Sequence, residues 1–382
     1  MKYIREHRKY FVSLFQIILF IPFFRQGLIG SDWDSYGSYA SSLIIENQNI
    51  YLPSRPPGFP LFEYLVSFFI NYEVRVILFV IFFFLVGINF VTDKLFSEKY
   101  INDFLYFALL TSPILLISSF SIMDYVVGLF FSLCGLYSIK DEIKSEYLFL
   151  FLMILASATR LSNILFFLVG LYIIKKNGSS NLKIILLTSA YFFAIILVYF
   201  PAYNLAGGLC FLNLTNTDHD LFQRLGRFGY KQTYLVGLPG LALLLYIIIS
   251  IRKKVKFSDF YLPYILILLL FEISFLRLPT EEGHMLPALF MFFLLLSQIK
   301  ISNNLQLYLF ITIFLSNFIY LELISVDVPN HVENFTFAPR LEEGLLLQDY
   351  EERAIKGVDA NYHIDNAVIQ VVDSWKDGGP NC

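Results

Sequence analysis

Long apolar runs broken by short, lysine-dense connections recur along this chain. They fall near residues 11–28, 75–92, 103–120, 123–139, 146–158, 162–175, 184–201, 234–251, 259–277, 284–298 and 305–325. A helix needs about 20 apolar residues to cross ~30 Å of hydrocarbon. The pattern therefore predicts an all-α integral membrane fold, a polytopic bundle of about eleven transmembrane helices. The stretch 146–175 reads either as one long tilted helix or as two short segments meeting at Thr159-Arg160. Two such segments rise only ~20 Å each, yet short helices are tolerated within a bundle or beside a cavity.

Charge favours the two short segments. With the N-terminus cytoplasmic, the connections carrying Lys94 and Lys99, Lys140 and Lys144, Lys175, Lys176 and Lys183, Arg252 to Lys256, and Lys300 all fall inside, as the positive-inside rule expects. A single crossing would place two of these clusters outside. The non-cytoplasmic face then receives a large first loop over 29–74, the Ser121–Asp124 turn, Arg160, a loop over 202–233, and the stretch Arg277–His284. Residues 1–325 are thus expected to form the membrane domain and 326–382 an extracytoplasmic C-terminal tail. Within the first loop, Pro60–Ile70 forms an amphipathic piece too short to span, expected along the interface. In the tail, Ile364, Ala367, Val368, Val371, Val372 and Trp375 recur at helical spacing and predict one amphipathic helix.

Composition supports the membrane reading: 57% of residues are hydrophobic, mean hydropathy is +0.63, and only 15% are charged, against about 25% in soluble domains. A net charge of -3 offers nothing to nucleic acid, although the tail alone holds 11 acidic and 4 basic residues. Cys134, Cys210 and Cys382 have neither metal-site nor disulfide spacing. The basic stretch up to Lys9 resembles the start of a signal peptide. No small-residue cleavage site follows it before Arg25 and Asp32, so an uncleaved signal anchor is expected.

The candidate chemistry lies on the predicted outer face. Asp32-Trp33-Asp34 and Ser54-Arg55-Pro56-Pro57-Gly58 share the first loop, Asp124 opens the fourth segment, Arg160 separates two short apolar segments, and Arg277, Glu282 and His284 follow the ninth. Charges beside hydrocarbon are functional candidates. Each also has a local structural reading: Asp34 or Asp124 as a helix N-cap, Arg55 as a turn anchor, Arg277 snorkelling to the interface, Glu281, Glu282 and His284 as hydrated surface. Asp218-His219-Asp220 looks like metal chemistry, but adjacent residues rarely converge on one ion, and a solvated loop is the simpler reading.

Asp32-Trp33-Asp34-Ser35-Tyr36-Gly37-Ser38-Tyr39, then Tyr51 through Leu61, resembles the GT-C glycosyltransferases, in the branch of protein O-mannosyltransferases and aminoarabinose transferases. Met123-Asp124, Ala158 through Asn163, and Arg277 with Gly283 through Leu289 are similar too. The resemblance covers roughly residues 10–300, is strongest before residue 170, and does not extend to the tail. It implies inverting transfer of a sugar from a polyprenyl (dolichyl or undecaprenyl) phosphate to a lipid, glycan or protein acceptor in a membrane, with a catalytic carboxylate in the first outer loop. The family's Asp-Glu pair is Asp34-Ser35 here, which leaves Asp34 and Asp32 both open as the base. Arg55, Arg160 and Arg277 become candidate phosphate ligands, with Asp124, Glu282 and His284 in supporting or acceptor roles. Some relatives use a divalent metal cation, for which no ligand set is assigned. The competing functions are a transporter or lipid-linked sugar flippase, and a noncatalytic scaffold of the same fold. Transporters show repeated halves with charges near the midplane, and neither is visible here.

Overall fold

In the computed structural model, residues 2–96, 100, 102–140, 143–208, 221–251, 261–277, 279, 282–327 and 334–376 are described. The first loop is largely helical. Helix α1 (Lys2–Gln26) leads into α2 (Trp33–Gln48) and α3 (Pro60–Phe69), and α4 (Val74–Leu95) follows. Then come α5 (Asp103–Leu110), α6 (Pro113–Ser119), α7 (Tyr125–Ser138), α8 (Glu146–Thr159), α9 (Ile164–Lys176), α10 (Asn181–Leu205), α11 (Leu221–Val236), α12 (Leu238–Ile251), α13 (Leu262–Arg277), α14 (Leu286–Ser297) and α15 (Asn303–Leu315). An antiparallel hairpin of β1 (Ile319–Asp327) and β2 (Asn334–Glu343) precedes α16 (Leu345–Val358) and α17 (Ala360–Lys376).

The architecture is thus mainly helical, as expected, with several local departures. The 103–120 run breaks because Pro113 has no N–H to donate and disfavours a helical residue before it, and the helix closes at Leu110 and restarts at Pro113. The 305–325 run is helical only to Leu315. From Ile319 the chain alternates side chains in strand fashion and pairs with β2, Ile319 opposite Glu343 and Asp327 opposite Asn334. Strand β1 therefore runs through the expected 325/326 boundary. The expected 202–233 loop contains most of α11. Between α8 and α9 the backbone turns extended at Arg160 (φ -153°, ψ 115°), in keeping with two segments. By length and apolar composition, two described helices can cross a membrane, α4 and α10, with α11 and α12 a third only if that bent pair is one span.

Two compact units emerge, each built from separate stretches: Met1–Ile17, Thr92–Ile117 and Thr217–Asp349 in one, Ile18–Val91, Ser118–Asn216 and Tyr350–Cys382 in the other. In the first, buried Arg8 reaches Asp93 at 2.7 Å and Asn102 and Asp103 at 3.0 Å each, with its guanidinium 4.7 Å from the Tyr106 ring centre. In the second, Phe20 stacks on Phe82 at 4.4 Å and packs against Phe120, and Tyr191 stacks on Phe167 at 3.6 Å.

A buried arginine is tolerable only while its carboxylates answer it, and the reverse holds. Arg8→Ala removes the guanidinium that Asp93 and Asp103 share, leaving Asp93 its longer contact with Lys9 at 3.5 Å, and should cost up to about 3–5 kcal/mol of stability, seen as a lower unfolding midpoint of the detergent-solubilised protein. An unchanged midpoint would show that the cluster imposes no such constraint.

Candidate functional site

The site grows from the start of α2. Asp32 is its N-cap, the carboxylate accepting from the Ser35 N–H at 2.9 Å. The N-cap position is therefore held by Asp32, while Asp34, in the first turn, accepts a hydrogen bond from Arg55. Both side chains of this ion pair keep partial exposure, 24% for Arg55 and 12% for Asp34.

Arg55 sits on a loop wrapped around the carboxylate of Glu63, a residue with no exposed surface. Glu63 Oε1 accepts from the Ser54 N–H at 2.8 Å, and Oε2 accepts from Tyr51 Oη at 2.7 Å and the Phe59 N–H at 3.1 Å. The expected interfacial helix α3 thus turns its one charge inward and leaves Tyr64 and Phe68 exposed. Gly58 closes the loop at φ +90°, where a Cβ would lie 2.5 Å from Tyr51 Oη. No other residue fits that combination of backbone and space. Burial pushes the Glu63 carboxyl above the usual glutamate range, against the opposing pull of its hydrogen bonds with Ser54, Tyr51 and Phe59.

Asp124 precedes α7 but does not cap it; its carboxylate instead accepts from Arg160 Nη1 at 2.7 Å. Here the local cap reading gives way, because an arginine buried at the end of α8 requires a counter-charge. This second pair is closed, with side-chain exposures of 8% and 4%. The Arg160 guanidinium lies 4.0 Å from the Tyr125 ring centre and 5.5 Å from that of Phe59. Arg55 approaches the same Phe59 ring at 5.1 Å. Phe59 thereby gathers Asp34–Arg55 and Asp124–Arg160 into one constellation, and the buried phenol of Tyr199 lies within electrostatic reach of Glu63, Asp124 and Arg160.

The tail reaches the same unit. Trp375 donates its indole N–H to the Pro53 carbonyl at 2.8 Å, Trp33 donates to Gln370, and His363 packs 5.5 Å from the Tyr36 ring. Arg277, Glu282 and His284 lie in the other unit. Arg277 is exposed at the end of α13, and Glu282 and His284 share a 3-10 turn where Glu282 pairs with Lys231. Among the described residues no three His, Cys, Asp or Glu side chains converge on a metal-sized site. Asp218-His219-Asp220 and Glu281 lie outside the described residues.

The sequence assigned no site role to Glu63, Tyr51, Phe59 or Trp375. The available signal was that Glu63 is the one acidic residue between Glu46 and Glu73 and stands in an apolar helix, a placement that calls for internal donors. Compared with protein-family models, with curated proteins and with solved structures, the chain matches none.

A carboxyl whose pKa is raised by folding holds its proton more tightly in the native state. The associated stability is full below the ordinary glutamate range and is lost as pH rises through the raised value. Glu63→Gln does not titrate and should flatten that part of the profile of unfolding midpoint against pH between acid and neutral. Parallel profiles for the two proteins would assign the titration to another group.

Proposed function

We propose that this chain is a polytopic membrane glycosyltransferase that transfers a sugar from a polyprenyl-phosphate donor to a lipid, glycan or protein acceptor on the non-cytoplasmic face, with inversion. The observation that carries the reading is the partly open Asp34–Arg55 pair beside the closed Asp124–Arg160 pair. The apolar α4 and α10 support placement in a membrane. The remaining crossings of an eleven-segment bundle would fall to shorter helices such as α7, α8, α14 and α15, held by packing.

A carboxylate held against an arginine is a weak base, because the neighbouring cation favours its ionised form. A sugar phosphate offers Arg55 a better matched partner, since a guanidinium presents parallel donors to phosphate oxygens. When the donor phosphate takes Arg55, Asp34 is released to accept the acceptor's hydroxyl proton. The acceptor oxygen then attacks the anomeric carbon as the bond to phosphate breaks, and the charge growing on the departing phosphate is met by Arg55. Arg160, locked to Asp124 and stacked on Tyr125, fixes the Phe59 wall against which Arg55 moves. Arg277, Glu282 and His284 have no step in this scheme, and none is routed through a metal ion.

The test is mass spectrometry of the full protein in detergent with a panel of polyprenyl-phosphate sugars and an acceptor mixture, reading released polyprenyl phosphate. Asp34→Asn should lower release by roughly 10²- to 10⁴-fold with donor binding kept, and Arg55→Ala should weaken donor binding. Wild-type turnover in Asp34→Asn would remove Asp34 as the base.

Sidedness is tested separately. Cysteines introduced by Gly178→Cys and Val255→Cys should react with impermeant maleimide only from the cytoplasmic side. Labelling of both from outside would overturn the topology.

A further inference from the structure

Helix α11 carries its polarity inside out. Leu221, Phe222 and Leu225 are 70%, 79% and 49% exposed. Near its C-terminal end polar side chains turn toward protein: Lys231 pairs with Glu282, Gln232 donates to Glu272 at 3.0 Å, and Thr233 bonds Tyr320 at 2.7 Å. Water would favour the opposite arrangement. The next helix, α12, is apolar throughout and exposes Leu245, Tyr246, Ile248 and Ile249, as a lipid-facing helix does. Between the two the axis turns by 97°. The turn is made at Gly237 (φ +73°), where a Cβ would come within 2.5 Å of Ser316, so it is built into the packing.

If α12 runs along the bilayer normal, a right-angle turn lays α11 in the membrane plane. The helix holds Arg224, Arg227 and Lys231 and no acidic residue, and basic amphipathic helices with aromatic and leucine side chains settle at the boundary of headgroups and acyl chains. Three basic residues also make α11 a poor half of a broken span through hydrocarbon.

We propose that α11 is an in-plane anchor on the phospholipid surface, its Leu221, Phe222 and Leu225 edge dipping into the acyl boundary. The inference rests on α12 crossing the membrane and is independent of the chemistry proposed above. It is tested in full-length protein whose three native cysteines are replaced by serine, reconstituted into nanodiscs of zwitterionic and anionic phospholipid. Phe222→Cys and, separately, Tyr246→Cys carry an environment-sensitive fluorophore. At Phe222→Cys, lipids brominated near the headgroup should quench more than lipids brominated near the bilayer centre. At Tyr246→Cys a bilayer-centre bromine should quench. Strongest quenching of the Phe222→Cys probe by central bromines would make α11 part of a broken span, and quenching only by aqueous iodide would place it in water. Either result overturns the proposal. Absence of lipid quenching at Tyr246→Cys removes its premise along with it.

Discussion

A carboxylate with no exposed surface must find its donors within the protein, and Glu63 finds three. The segment that supplies them has few to give, because Pro53, Pro56, Pro57 and Pro60 carry no N–H. The Ser54 and Phe59 amides bracket Pro56 and Pro57, so binding both to one carboxylate closes the loop into a ring. Leaving such a buried donor unpaired costs about 1–3 kcal/mol, and each of the three contacts therefore holds the others in place. That closure sets where Arg55 leaves the loop and where the Phe59 ring stands, between the Arg55 and Arg160 guanidinium groups.

The two ion pairs around Phe59 differ in what water can reach. Asp124–Arg160 is closed, and parting it would break a buried ion pair. Asp34–Arg55 keeps partial access to solvent on both side chains. Burial thus distinguishes two pairs that charge alone does not: one is sealed, the other is open to water. The Phe59 ring couples them, since a cation over each approach is favoured by the ring's electrostatics.

Much of the helical architecture was legible because long apolar runs leave few alternatives, and the break at Arg160 was legible because an arginine between short apolar segments demands a partner. Asp34, Arg55, Asp124 and Arg160 were all marked by charge in apolar surroundings, and all four fall in one unit. Their pairing was not legible, since Asp124 and Arg160 are neighbours only through the packing of α7 and α8. Local rules failed where tertiary contacts outweighed them. Asp124 has the position of a cap but gives its carboxylate to Arg160, whereas Asp32 takes the cap that sequence had allowed to Asp34. The apolar run after Asn303 looked like a span to residue 325, because residue type records hydrophobicity and only strand pairing reveals that β1 alternates.

The C-terminal segment shows the same principle at longer range. Helix α17 was foreseen from the spacing of its apolar face, and Ala367, Val371 and Trp375 are indeed buried, but spacing says nothing of what the face covers. A buried indole N–H needs an acceptor, and the Pro53 carbonyl, two residues before Arg55, provides it. Gln370 meets Trp33, the residue before Asp34. One helix therefore grips the chain close to each member of the Asp34–Arg55 pair. Because α17 touches the neighbours of Asp34 and Arg55 in chain order, it restrains the backbone beneath them while leaving the pairing itself to the two charges. The segment from residue 350 onward thus packs within the unit that holds both ion pairs.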